Sequence, residues 1–181
     1  NNTACGQQAL TDNTTGANNT ALGTLALGNS TTASNNTGIG YTALLANTTG
    51  STNTAVGASA GVSLTTGANT VAIGSYAAQN LTTGSGNTAV GNSTLGATGS
   101  TAVTGSDNTA VGNSALLAIT TGANNTGVGA DAGSDASTGS NNTLIGHDAG
   151  RSSSPQHITI DSNQIVLGDN SVTDAFIKVS F

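Results

Sequence analysis

Large side chains are almost missing from this chain. Its 181 residues include two Tyr, two Phe, no Trp and no Met, which excludes a compact core built on bulky groups and leaves small residues to stack instead. Glu is absent, and only 6% of residues are charged. Arg151 and Lys178 are the sole basic residues beside eight Asp, so binding of nucleic acid by charge is excluded. One cysteine, Cys5, rules out an intrachain disulfide. One proline, Pro155, and no Gly-x-y period rule out collagen. No apolar run approaches the roughly 20 residues of a membrane helix, and no membrane insertion is expected.

What the chain does have is a repeat. Close copies of Asn53-Thr54-Ala55-Val56-Gly57 close on Gly6, Gly23, Gly40, Gly57, Gly74 and Gly91, each 17 residues after the last. They resume at Gly112, Gly129 and Gly146 after a four-residue insertion. So strict a period argues against polar, low-complexity disorder and for a solenoid.

The columns of the repeat carry the fold expectation. The residue before the closing glycine is Cys5, Leu22, Ile39, Val56, Ile73, Val90, Val111, Val128 or Ile145, apolar every time, and is read as facing a core. That assigns Cys5 to the interior as a small hydrophobe. The Thr column two residues earlier, with Val71 once, is read as facing inward with it, while the Ala/Gly column between them keeps the opposite side small. A second short strand is expected after the glycine, through Ala9, Ala26, Ala43, Ala60, Ala77, Ala115, Ala132 and Ala149. Polar corners such as Thr48-Thr49-Gly50 and Thr65-Thr66-Gly67 close the coil, with Gly supplying a positive backbone dihedral.

Stacked at about 4.8 Å per strand, nine coils over residues 1–150 make a rod roughly 40 Å long. In it Asn2, Asn19, Asn36, Asn53, Asn87, Asn108, Asn125 and Asn142 form an amide ladder, interrupted by Thr70. The insertion around residues 99–105 falls in a corner, where it can bulge outward. The chain opens within a copy of the motif, so further coils are expected before it. Residues 151–181 change composition and lose the period. Ile158–Ile160, Gln164–Gly168 and Ile177–Phe181 read as strands of a C-terminal β cap over the last coil.

Chemistry is sparse. His147 occupies the variable, exposed position after the glycine that Tyr41 holds elsewhere, and His157 begins the tail; neither is read as a metal ligand. Asp131 and Asp148 share a column in adjacent coils and could hold a cation, but with no liganding triplet beside them they read as solvated. No Ser/His/Asp set shares column positions. No catalytic residue, cofactor or metal is assigned, and the chain is expected not to be an enzyme.

The repeat, Asn69-Thr70-Val71-Ala72-Ile73-Gly74 above all, resembles the head repeats of trimeric autotransporter adhesins and the Asn-Thr-Ala-x-Gly arrays of bacteriophage tail fibres. The tail from Gln164 to Val179 is similar to the segment that precedes a self-cleaving intramolecular chaperone domain in such fibres. The resemblance implies a left-handed parallel β-roll, three chains per fibre, and a C-terminal chaperone in the precursor that trimerises the fibre and is cut off. The 17-residue repeat is somewhat longer than that of adhesin heads. A homotrimer also follows from the residues: one coil offers little apolar area, and small side chains admit a neighbouring chain closely.

The expected fold is all-β, a parallel β-roll or β-helix solenoid of about nine 17-residue coils with a short β cap. The expected function is the shaft or body of a trimeric tail fibre or surface adhesin, outside the cell on a virion or a bacterial surface. Its partners are its own copies and a host-surface glycan or receptor, the latter met near Tyr41, Tyr76 and His147. The alternative is a Thr-rich ice-binding solenoid, presenting the Thr-Thr rows at 14–15, 48–49, 65–66, 82–83 and 120–121 to a lattice.

Overall fold

The computed structural model describes residues 1–96, 101–151, 159–169, 171 and 172. Pro155, His157, Lys178 and the strand expected at 177–181 lie outside the described residues, as do the first residues of the insertion.

Ten strands form one parallel sheet in strict chain order. They are β1 (Thr3–Cys5), β2 (Thr20–Leu22), β3 (Thr37–Ile39), β4 (Thr54–Val56), β5 (Val71–Ile73), β6 (Thr88–Val90), β7 (Thr109–Val111), β8 (Thr126–Val128), β9 (Thr143–Ile145) and β10 (Ile165–Leu167). Each lies beside the next in the same register, so that Thr37, Gly38 and Ile39 sit beside Thr54, Ala55 and Val56. The chain is thus an all-β solenoid with coils of about 17 residues. Among the described residues there is no helix, hence none long and apolar enough to cross a membrane.

The sheet faces the other way from the expectation. From β2 to β9 it is the middle residue of each strand that is buried, while the Thr before it and the Leu, Val or Ile after it point outward. Leu22, Ile73 and Ile145 are 48%, 40% and 44% exposed, and Cys5 is exposed as well. The reason is volume. The turn after each glycine already places an Ala and often a Leu inside the coil, as with Ala26 and Leu27 or Ala43 and Leu44, and the remaining space admits Ala or Gly.

Where one side of the coil grows, the other shrinks. A Cβ on Gly38 would stand 3.2 Å from Leu27 Cγ, and one on Gly127 would stand 2.9 Å from Leu116 Cγ. Where β9 carries Leu144 in the middle position, the facing turn residue is Gly133, whose added Cβ would overlap that leucine. This pairing of Leu with Gly across the coil keeps the interior close-packed with side chains no larger than leucine.

Among the described residues, no second strand forms after the closing glycine. Those residues are turns in which the second and fourth positions take left-handed backbone, as at Leu25 (φ 61°), Leu27 (φ 51°), Thr42 (φ 54°) and Leu44 (φ 53°). The corner glycines also differ from the expectation. Gly50 and Gly67 carry no positive φ; they are required by close approach, since a Cβ on Gly67 would stand 2.7 Å from Leu64 Cδ1. The left-handed corner residue is instead the first Asn of four Asn-Asn pairs, Asn18, Asn35, Asn124 and Asn141, a residue type suited to that conformation.

The second Asn builds the ladder. Asn53 Nδ2 donates to the Gly67 carbonyl (2.9 Å) and its Oδ1 accepts the backbone N–H of Thr70 in the next coil (2.9 Å); Asn36, Asn108 and Asn125 repeat both bonds. Thr70 is too short to do so and its buried hydroxyl has no partner. Thr70→Asn restores an acceptor for the Asn87 N–H and a donor for the Gly84 carbonyl. We expect a stabilisation of about 1 kcal/mol, read from the urea midpoint.

Two of the irregularities leave the stack intact. Across the insertion, Leu81 bridges Val103 and Thr88–Val90 pairs with Thr109–Val111. In the segment read as a cap, Thr159 and Ile160 form no strand, but Ile165–Leu167 is one more rung of the same sheet. Asn142 Oδ1 accepts the N–H of Gln164 there (2.9 Å), continuing the ladder.

Candidate functional surface

Two surfaces stand out. The first is the outer side of the sheet, where two columns run the length of the solenoid. One is Thr20, Thr37, Thr54, Val71, Thr88, Thr109, Thr126 and Thr143; the other is Leu22, Ile39, Val56, Ile73, Val90, Val111, Val128 and Ile145. Parallel pairing in constant register keeps each column straight, with rungs about 4.8 Å apart and the two columns about 7 Å apart along the strand. The result is an uncharged strip that leaves apolar surface in water over eight rungs, well beyond the scattered single exposures common on soluble proteins.

The corner threonines differ from those on the strip. Thr14, Thr48, Thr65, Thr82 and Thr120 donate their hydroxyls to a backbone carbonyl of the next coil, as Thr65 Oγ1 does to Thr82 O (3.0 Å). The second threonine of each row, Thr15, Thr49, Thr66, Thr83 and Thr121, is exposed. Tyr41 and Tyr76 project from the turns after the glycine, 59% and 44% exposed, beside the strip rather than on it.

The second surface is a charged corner at the C-terminal rungs. Asp131 and Asp148 occupy left-handed turn positions (φ 56° and 55°), which Asp tolerates. Their N–H groups bond the coil before, Asp131 to Asn113 O (2.8 Å) and Asp148 to Ala130 O (3.0 Å), which stacks the two carboxylates. No family model, curated protein or solved structure matches the chain. What it does is therefore read from these two surfaces.

The pair is not alone, contrary to the sequence reading. His147, exposed as expected, brings a ring nitrogen into a group with Asp131 and Asp148 in which one ligand atom of each lies within 4.8 Å of the others. His147 Nδ1 is 3.4 Å from Asp148 Oδ2 and 3.8 Å from Asp169 Oδ2. Arg151 Nη1 donates to Asp148 Oδ1 (2.9 Å) and lies 3.5 Å from Asp131 Oδ2. The Ser171 N–H donates to Asp169 Oδ1 (2.8 Å) and, with nearby His147 adding to it, holds that carboxyl below its usual range. His147 and Asp169 both follow a rung's closing glycine, Gly146 and Gly168. The spacing between those glycines is 22 residues instead of 17, and this hid the second from a search in the period.

Proposed function

We propose that the chain is a shaft segment of a trimeric attachment fibre, displayed outside the cell on a virion or bacterial surface. The observation that carries the reading is the outward Thr and Leu/Val/Ile strip. An apolar face of this length is stable in water when covered, and a straight, self-similar strip is best covered by identical strips about a three-fold axis. The backbone bonds between rungs supply stiffness, and the exposed turns bearing Tyr41 and Tyr76 would remain outside such a core to meet a host glycan or receptor. The proposal includes no catalytic step.

Light scattering on the native chain is expected to give three chains per particle. Val90→Lys with Val111→Lys places two charges on the strip without touching the interior, and should reduce the particle to one chain with an unchanged circular dichroism spectrum. A folded wild-type monomer at micromolar concentration would overturn the proposal.

A second reading has one observation in its favour: a rigid two-column array in which Thr alternates with a β-branched residue is also a surface that an ordered lattice such as ice could meet. The strip, rather than the corner threonines whose first hydroxyls are committed to the stack, would be the binding face. Thermal hysteresis in a monomeric sample would favour this reading; its absence in a trimer favours the fibre.

A further inference from the structure

We propose that the charged corner formed by Asp131, His147, Asp148 and Asp169 is a binding site for one divalent transition-metal ion, and that the ion clips the last three rungs together. Four donor side chains arrive there from three successive rungs: Asp131 after β8, His147 and Asp148 after β9, and Asp169 after β10.

The spacing is the first argument. His147 Nδ1 stands 3.4 Å and 3.8 Å from its two carboxylate oxygens, beyond the usual range of an N–H···O bond. Ligands that share a tetrahedral ion at about 2.1 Å lie about 3.4 Å apart. The imidazole and the Asp148 oxygen are therefore placed as co-ligands rather than as hydrogen-bond partners, and an Asp131 oxygen lies within 4.8 Å of both. Asp169, 3.8 Å from the same imidazole nitrogen, can complete the set, directly or through water.

The role of Arg151 is the second. Its guanidinium takes Asp148 Oδ1 and leaves Oδ2 turned to His147, which is how a carboxylate ligand is oriented by a group behind it. Charge is the third. Three carboxylates and one guanidinium leave two negative charges, which a divalent ion cancels. In a chain with ten charged side chains, the gathering of these four is not a by-product of a charged surface. A set with one imidazole nitrogen among carboxylate oxygens favours Zn²⁺, Ni²⁺ or Cu²⁺ over Mg²⁺ or Ca²⁺.

The test is titration of the metal-free full chain with Zn²⁺ by calorimetry, with Mg²⁺ as the comparison. We expect one Zn²⁺ per chain, bound at least tenfold more tightly than Mg²⁺, and slower hydrogen exchange of the amides of residues 165–169 when it is bound. His147→Ala alters an exposed side chain and Asp169→Asn a half-buried one, both outside the packed interior, so the fold is expected to stand, checked by circular dichroism. Each should weaken Zn²⁺ binding at least tenfold and abolish the change in exchange. No Zn²⁺ binding by the wild-type chain would overturn the proposal. So would Zn²⁺ binding that survives both substitutions, because the ion would then sit elsewhere and the corner would be an ion-pair cluster only.

Discussion

Gly57→Ala is expected to cost more than about 3 kcal/mol and to divide the solenoid between β4 and β5. Gly57 has φ +137°, a backbone conformation that side chains rarely adopt, and its added Cβ would overlap the carbonyl oxygen of Gly74 in the next rung. That oxygen cannot turn aside freely, since it accepts the N–H of Ala77 (3.3 Å), while the Gly74 N–H is held by Val56 O (2.8 Å). Because each rung contacts only its neighbours, one spoiled interface separates two blocks. Urea denaturation should show a lower midpoint with a broadened or two-step transition. Gly61→Ala is the control. Its φ of +57° matches that of Leu27 and Ala78 at the same place in other coils, and its new Cβ meets only the mobile end of Leu44 at 3.0 Å. A loss of about 1–2 kcal/mol, smaller than at Gly57, is expected there, and equal damage from both substitutions would refute the argument.

The second large effect is expected from Asn53→Ala. Asn53 is fully buried, and its loss strands two backbone groups in the interior, the Thr70 N–H and the Gly67 carbonyl. Each unsatisfied group costs about 1–3 kcal/mol, so a loss of roughly 3 kcal/mol is expected. Hydrogen exchange locates it: the amide of Thr70 should lose protection, while that of Thr54, bonded to Thr70 O at 2.8 Å, should be less affected. Thr66→Ala, at an exposed corner of the same coil, should stay within about 0.5 kcal/mol. If the two substitutions had similar effects, the ladder would not be holding the coil together.

The sequence made the period, the strand positions and the ladder readable, because each is a column property. The Thr-x-apolar triplet before each closing glycine is a strand wherever it was expected, from Thr3–Cys5 to Thr143–Ile145. Which side of the strand faces inward was not readable in the same way. Alternation of period two is symmetric between the faces, and Val or Ile beside Ala suggests a core position by bulk alone. The signal that resolves it is the exchange of Gly and Leu between distant columns, Gly38 with Leu27 and Leu144 with Gly133, which has meaning only once the coil is closed. The missing second strand has a similar cause. Ala43-Leu44 carries no mark of left-handed backbone, whereas Asn-Asn at a corner does. The metal-type corner was half visible, in Asp131 and Asp148. Its other members stood in the adjoining column and beyond a change of period.

The ladder and the sheet share one property: apart from the break at Thr70, the bonds that hold a coil are repeated by the coil above. A 17-residue segment, such as residues 41–57, is therefore a unit of length rather than a unit of shape. Removing or duplicating one alters the reach of the molecule by about 4.8 Å and creates no contact of a new kind. The irregular coil between Gly91 and Gly112 shows the corollary, since its four extra residues change the count along the chain without changing the height. Distance along such a molecule can thus be tuned by copy number, a change that recombination between near-identical repeats makes in a single step.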